Sequence, residues 1–197
     1  NLSDSHDNVL RDNTSLSNSG FGITINRSHR NELTGNITSN NRERPGIRVI
    51  QSNYNILTEN TSSSNRKDGI WLIQSDHNLL TGNTSSMNQQ SGILLEDSNN
   101  NQIYNNNFID NATQAHDING INNIFSVDRP SGGNFWNDWT TPDNNLDGFV
   151  DNPYVFDGGQ DDLPWTTMDG WLNQVPDADG DGIPDTSDNC PSTPNQN

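Results

Sequence analysis

Five copies of one short phrase fill the first half of the chain: Asn8-Val-Leu-Arg-Asp-Asn13, Asn31-Glu-Leu-Thr-Gly-Asn36, Asn55-Ile-Leu-Thr-Glu-Asn60, Asn78-Leu-Leu-Thr-Gly-Asn83 and Asn101-Gln-Ile-Tyr-Asn-Asn106. Their starts are 23, 24, 23 and 23 residues apart, and a third Asn follows five residues after each, at Asn18, Asn41, Asn65, Asn88 and Asn111. A glycine and a short apolar alternation come next: Gly22-Ile-Thr-Ile25, Gly46-Ile-Arg-Val49, Gly69-Ile-Trp-Leu72 and Gly92-Ile-Leu-Leu95, with Ala115-His-Asp-Ile118 as a decayed fifth. The 24-residue copy carries its extra residue around Pro45, where an insertion falls in a turn. Each copy holds three pieces too brief for helices and too regular for loops. A strand triplet that returns every 23 residues stacks on the next triplet as parallel sheet, about 4.8 Å per coil. The expected fold is all-β, a parallel β-helix solenoid of about five to six coils.

Composition agrees only with such a narrow core. Apolar residues make up 27% of the chain and mean hydropathy is -0.93, too little for a wide two-layer core. Three inward columns suffice in a solenoid: Ile23, Ile47, Ile70 and Ile93; Ile25, Val49, Leu72 and Leu95; and Leu10, Leu33, Leu57, Leu80 and Ile103. The Asn columns are expected to stack as amide ladders that also tolerate left-handed corners. Ladder Asn residues have no room for a glycan, so Asn1 and Asn26 are the better sequons. His6, His29 and His77 share a repeat phase only loosely and read as corner residues. No apolar run is long enough for a transmembrane helix, and no leader precedes the repeats, so the chain reads as a processed or excised piece.

The pattern Gly-Ile-x-Leu followed by Asn-x-Ile-x-x-Asn resembles the parallel β-helix repeats of NosD-like and pectate-lyase-like families, over about residues 3 to 125. The resemblance implies right-handed coiling, in agreement with the handedness of parallel crossovers. It implies little about chemistry, since these folds host lyases, hydrolases, epimerases, adhesins and surface proteins. The NosD name suggests copper, which no Met or His cluster in the sequence supports.

The second half is different. Residues 1 to 109 carry 10 acids and 8 bases, while 110 to 197 carry 16 acids and 1 base. Nucleic acid is a poor partner for such a tail and divalent cations a good one. We divide the chain into the repeats (1–125), a Trp-rich cap with an EF-hand-like loop (126–172) and a final acidic repeat (173–197). Trp136, Trp139, Trp165 and Trp171 follow the last coil, as a cover for its exposed core would. In Asp143-Asn-Asn145-Leu-Asp147-Gly148-Phe149-Val-Asp151, oxygen side chains at alternate positions, a glycine and the Phe149 carbonyl fit the start of a calcium loop. Position 12 is Tyr154, so Asp157, Asp161 or Asp162 must complete the shell, and calcium removal is expected to melt the cap.

The last stretch, Asp177-Ala-Asp179-Gly-Asp181-Gly-Ile183-Pro-Asp185-Thr-Ser-Asp188-Asn-Cys190-Pro, is similar to a thrombospondin type 3 repeat. The resemblance implies calcium held by Asp177, Asp179, Asp181, Asp185 and Asp188 with the Ile183 carbonyl, an extracellular setting, and a cysteine partner in a neighbouring repeat. Five carboxylates without a base repel one another unless a cation neutralises them.

Strand parity turns Thr24, Arg48, Trp71, Leu94 and Asp117 outward in one column and Asn26, Ile50, Ile73, Glu96 and Asn119 in the next. No catalytic constellation stands among them. Arg48, Ile50, Trp71, Ile73 and Leu94 form a candidate ligand or partner surface. The function expected is a non-catalytic, calcium-stabilised module of a larger secreted or cell-surface protein, a spacer or adhesin. The alternatives are a carbohydrate-binding or carbohydrate-active β-helix and a self-associating subunit of a surface layer or fibre. No membrane insertion is expected of this segment.

Overall fold

A computed structural model describes residues 1–173 together with 190, 192 and 193. Three parallel sheets run along one axis. The first holds Leu2–Ser3, Ile23–Asn26, Ile47–Ile50, Ile70–Ile73, Ser91–Glu96 and Thr113–Ile118. The second holds Val9–Arg11, Glu32–Thr34, Ile56–Thr58, Leu79–Thr81 and Gln102–Ile103. The third runs from Thr14–Leu16 through Ile37–Ser39, Thr61–Ser63, Thr84–Ser86 and Asn107–Ile109 to Phe135–Trp136. The register stacks Leu10 on Leu33, Leu57, Leu80 and Ile103 as the repeat demands. Those after Leu10 are buried, with the two Ile/Val/Leu columns of the first sheet, in one continuous core.

Small residues let the sheets close on each other. A Cβ added to Gly69 would lie 1.9 Å from Ser85 Oγ, which already donates to the Gly92 carbonyl. Corners turn through left-handed non-glycine residues at a constant phase, such as Arg27, Gln51, Gln74 and Asp97.

The asparagines form three ladders. Asn60 donates its backbone N–H and its Nδ2 to Asn83 Oδ1, both at 3.0 Å. Asn83 does the same to Asn106, and Asn106 to Asn134. Every rung of every ladder points the same way along the chain. The middle ladder ends where Asn134 N–H meets Asp161 Oδ2 at 2.6 Å. The ladder from Asn8 ends where Asn123 Nδ2 meets Asp117 Oδ2 at 2.8 Å. The ladder from Asn18 passes from Asn111 to Gln114 and on to Asn137.

Past Ile118 the chain folds over the end of the solenoid. Trp136 is fully buried and stacks between Phe108 and Tyr154, at 4.6 and 4.4 Å between centroids. A second cluster joins Phe135, Phe149 and Trp165. The antiparallel pair Tyr154–Phe156 and Gly159–Asp161 lies against the core through Tyr154 and Phe156.

Candidate functional site

The outward face of the first sheet is built from rungs in register. Thr24, Arg48, Trp71 and Leu94 are consecutive neighbours, as are Asn26, Ile50, Ile73 and Glu96. The expected continuation is corrected at the fifth coil, where Leu94 pairs with His116 and Glu96 with Ile118. Only 22 residues separate Ile93 from its partner Ala115, so the parity of the decayed coil shifts by one. His116 faces out, while Asp117 turns inward and is buried. Burial pushes the Asp117 carboxyl above its ordinary range.

The stripe Arg48, Ile50, Trp71, Ile73 and Leu94 is half-buried rather than open, because rungs about 4.8 Å apart shade their neighbours. Arg48 lies with its guanidinium 4.6 Å from the centre of the Phe21 ring and 5.9 Å from that of Trp71. Arg44, from the turn that carries the extra residue, also lies over the Phe21 ring, 5.4 Å from its centre. Burial, and then the nearby Arg44 charge, depress the Arg48 pKa. Among the described residues four side-chain polar atoms are buried without a hydrogen-bond partner, and three of them are Thr24 Oγ1, Arg48 Nε and Trp71 Nε1. Native interiors leave few such atoms, so their concentration in one column marks this face. Beside it lies a cleft of about 230 Å³ lined by Asn1, Leu2, Ser3, Thr24, Asn26, Arg48 and Ile50.

Two groups escaped the sequence reading. His116 Nε2 lies 3.0 Å from Asp157 Oδ2, and the Asp117 N–H donates to the Asp157 carbonyl. Counting 22 residues for the last coil finds His116; nothing in the sequence pairs it with Asp157, which was expected on the 143–151 loop and arrives from the tail.

The loop 143–151 is closed by its own donors. Asp143 accepts from the N–H groups of Asp147 and Gly148. Asp147 is nearly buried, accepts from Phe149 N–H at 2.9 Å and is paired with Arg129. Asn145 donates its amide nitrogen to the Asp147 carboxylate at 2.7 Å while its oxygen accepts the Asp147 N–H at 3.4 Å, and Asp151 accepts from Asn144. The Phe149 ring packs on Trp165. The expected shell-completing acids lie elsewhere: Asp157 on His116, Asp161 beneath Asn134 and Trp136, and Asp162 accepting from Gln160. Asp177, Asp179, Asp181, Ile183, Asp185 and Asp188 lie outside the described residues.

His6 and His29 stack with centroids 5.0 Å apart, and their Nδ1 atoms accept the backbone N–H groups of His29 and Asn53. His77 stacks on Tyr54 instead.

A family profile described as periplasmic copper-binding protein (NosD) matches residues 1–141. A second, the thrombospondin type 3 repeat, matches residues 176–197. No curated protein matches the chain. Among solved structures, a mutant of the periplasmic alginate epimerase AlgG is similar with a TM-score of 0.56 and 27% identity, over 63% of this chain and 31% of that one. The A-module of mannuronan C-5 epimerase AlgE4 from Azotobacter vinelandii shares the fold, with a TM-score of 0.52 and 18% identity over 60% of this chain and 35% of that one. The chain thus spans about a third of the length of these structures.

Proposed function

The chain belongs to the family described as periplasmic copper-binding protein NosD, and from that premise we propose that it is a non-catalytic β-helix module that holds a glycan on the outward face of its first sheet. Its setting is the secreted or cell-surface part of a larger protein. The observation that carries this reading is the half-buried outward stripe around Arg48 and Trp71, where a guanidinium lies on the Phe21 and Trp71 rings beside a cleft. Sugars present hydroxyls and apolar ring faces together, and such a stripe answers both. The likeness to an alginate epimerase supports a polysaccharide on a sheet of this kind.

Trp71→Ala tests it. The substitution should weaken binding to glycans captured on an array at least tenfold, while circular dichroism keeps the β spectrum. Unchanged affinity would remove the face from the reading.

A second reading, action on the glycan, is favoured by one observation: the His116–Asp157 pair stands in the same column as Arg48, three rungs or about 14 Å along it. A carboxylate orients an imidazole for proton transfer in this way. Incubating the chain with oligosaccharides and following cleavage or epimerisation by NMR decides it, with His116→Ala as control.

Copper does not fit the described residues. Two metal–nitrogen bonds of about 2.0 Å span at most about 4 Å, less than the separation of the parallel His6 and His29 rings. Their Nδ1 atoms are already engaged, and no group of three or more His, Cys, Asp or Glu able to hold a metal occurs among the described residues.

Calcium suits the terminal acidic repeat, whose match to the thrombospondin type 3 repeat supports an all-oxygen site of Asp177, Asp179, Asp181, Asp185 and Asp188. In the 143–151 loop Arg129 already supplies the neutralising cation. Calorimetric calcium binding should therefore vanish in Asp179→Asn/Asp181→Asn, while chelator shifts melting of the cap's Trp fluorescence by no more than about 2 °C, under 1 kcal/mol for a chain of this size. A larger shift would show that the loop takes an ion in place of Arg129.

A further inference from the structure

The cations of this chain are segregated by what they touch. Of its nine Lys and Arg residues, Arg11, Arg27, Arg30 and Arg129 each pair with a carboxylate. The other five, Arg42, Arg44, Arg48, Arg66 and Lys67, have no ion pair among the described residues, and all of them come from residues 41–48 and 65–68. These two stretches form one corner of adjacent coils, where the third sheet turns into the first. The Arg42 N–H donates to the Asn18 carbonyl and the Arg66 N–H to the Asn41 carbonyl, so the two arginines occupy successive rungs about 4.8 Å apart. Arg48 is taken up by the Phe21 and Trp71 rings, but Arg42, Arg44, Arg66 and Lys67 are exposed. The corner offers them little relief: Asp68 is buried and accepts from the Ser91 N–H, and Glu43 is the one exposed acid there. Like charges so placed repel one another until an anion arrives.

On a chain of net charge -17 such a ridge needs a polyanion that the rest of the molecule does not repel, and the chain carries one of its own. Asp177, Asp179, Asp181, Asp185 and Asp188, which lie outside the described residues, are the only charged side chains after Asn173. The approach to them starts on the sheet that leads to the ridge. Asp169 is fixed to the outward side of the third sheet, where Asn107 donates to its carboxylate at 2.7 Å and accepts its N–H at 3.1 Å. Asn107 stands two rungs from Thr61, and Arg66 follows Thr61 by five residues, which places the ridge about 20 Å from that anchor. The twelve residues from Asn173 to Asp185 reach about 40 Å when extended. Exposed ion pairs are individually weak, so this ridge retains only a partner kept at high local concentration, and a tether supplies the millimolar range. We propose that Arg42, Arg44, Arg66 and Lys67 dock the acidic terminal repeat of their own chain, and that calcium, by neutralising the same carboxylates, releases it. The release rests on the calcium reading above; the docking does not. Calcium concentration then sets whether the repeat lies back along the solenoid or stands away from it.

Lys67 is the only lysine in the chain, which makes a zero-length carbodiimide cross-link diagnostic, because it joins an amine to a carboxylate only where the two already touch. In the full chain with chelator and low salt, digestion and mass spectrometry should find Lys67 linked to the segment from Asp177 to Asp188, in a yield that dilution leaves unchanged. Millimolar calcium should lower that yield at least about fivefold, as should about 1 M salt. Arg42→Gln, Arg44→Gln and Arg66→Gln together should do the same although Lys67 itself is kept, and thermal melting should show that the variant folds, since all three side chains are exposed. Lys67 linked only to other acids, or to none, overturns the docking, and so does an undiminished yield in the triple variant. A link found only between isotopically distinct copies shows a second copy's repeat on the ridge and overturns the intramolecular contact. A yield unchanged by calcium while calorimetry shows the ion bound overturns the release. A chain that binds no calcium yet forms the salt-sensitive link overturns the calcium reading, and the release with it, and supports the docking.

Discussion

Asn83→Ala should destabilise the solenoid by about 3–5 kcal/mol, more than an ordinary polar substitution and comparable to emptying a core site. The side chain is buried and fully used. Its Oδ1 accepts the N–H and Nδ2 of Asn60, and its Nδ2 donates to the Leu57 carbonyl at 2.8 Å and to Asn106 Oδ1 at 2.9 Å. Alanine removes all four bonds; Asn60 Nδ2 keeps the Leu33 carbonyl and Asn106 Oδ1 keeps the Asn83 N–H, but the buried Asn60 N–H loses its acceptor and the Leu57 carbonyl loses this donor. Asn83→Asp is the sharper control. It preserves the two bonds accepted from Asn60 but sets an anion against the Leu57 carbonyl and Asn106 Oδ1, so it should be at least as harmful at neutral pH. Chemical unfolding of both variants measures this, and a loss below about 1 kcal/mol in Asn83→Ala would mean that the ladders decorate the fold without supporting it.

The second large effect concerns Asp161 and pH. Burial pushes its carboxyl up to about 6, against the donors Asn134 N–H, Trp136 Nε1 and Leu163 N–H, which pull it down. The unfolded chain titrates this group near 3.9. Between about pH 4 and 6 the folded state therefore holds the proton that the unfolded state has released. By linkage, stability falls as pH rises through this window, by on the order of 3 kcal/mol from this group alone. Below it both states are protonated, and above it the cost is constant. The acidic tail adds its own pH dependence, so the comparison is with Asp161→Asn, which keeps acceptors for Asn134 and Trp136 and has no charge to bury. Wild type should lose stability relative to the variant as pH rises from 4 to 7. Parallel profiles would mean that the carboxylate is charged at no cost.

Those two positions differ in how they could be found. Asn83 is legible from the sequence because a 23-residue period fixes both its neighbours and its side. Leu10, Leu33, Leu57, Leu80 and Ile103 are legible for the same reason. Where the period changes, parity reasoning fails at once: one residue fewer before Ala115 exchanged His116 and Asp117 between outside and inside. The cap is non-repetitive, so its aromatic content announced a cover but not its contacts. That Asp161 would lie beneath Trp136 rather than on the 143–151 loop depends on a hairpin packing across the end of the core, which no spacing encodes. Arg129, too, reaches Asp147 from outside the motif that suggested calcium. The residue column around Arg48 was visible as a stripe, but its want of partners is a property of three dimensions.

The amide ladders have a direction, and it constrains how such a molecule can change length. Each side-chain amide sets its oxygen toward the first coil and its nitrogen toward the last, so the dipoles in each row add, as peptide dipoles do in a helix. The far end of the solenoid is the positive pole, and Asp161 and Asp117 stand there as terminators. A duplicated coil inserted upstream of Asn106 would extend the rows and leave their terminators undisturbed. One inserted beyond Asn134 would leave a carboxylate stranded inside a row of amides. A second solenoid could prolong these rows only tail to head, and at the tail the carboxylates already hold the place its first oxygens would need. Lengthening by internal duplication is thus open to this architecture, while an amide row of a second molecule could continue these two only by displacing Asp161 and Asp117.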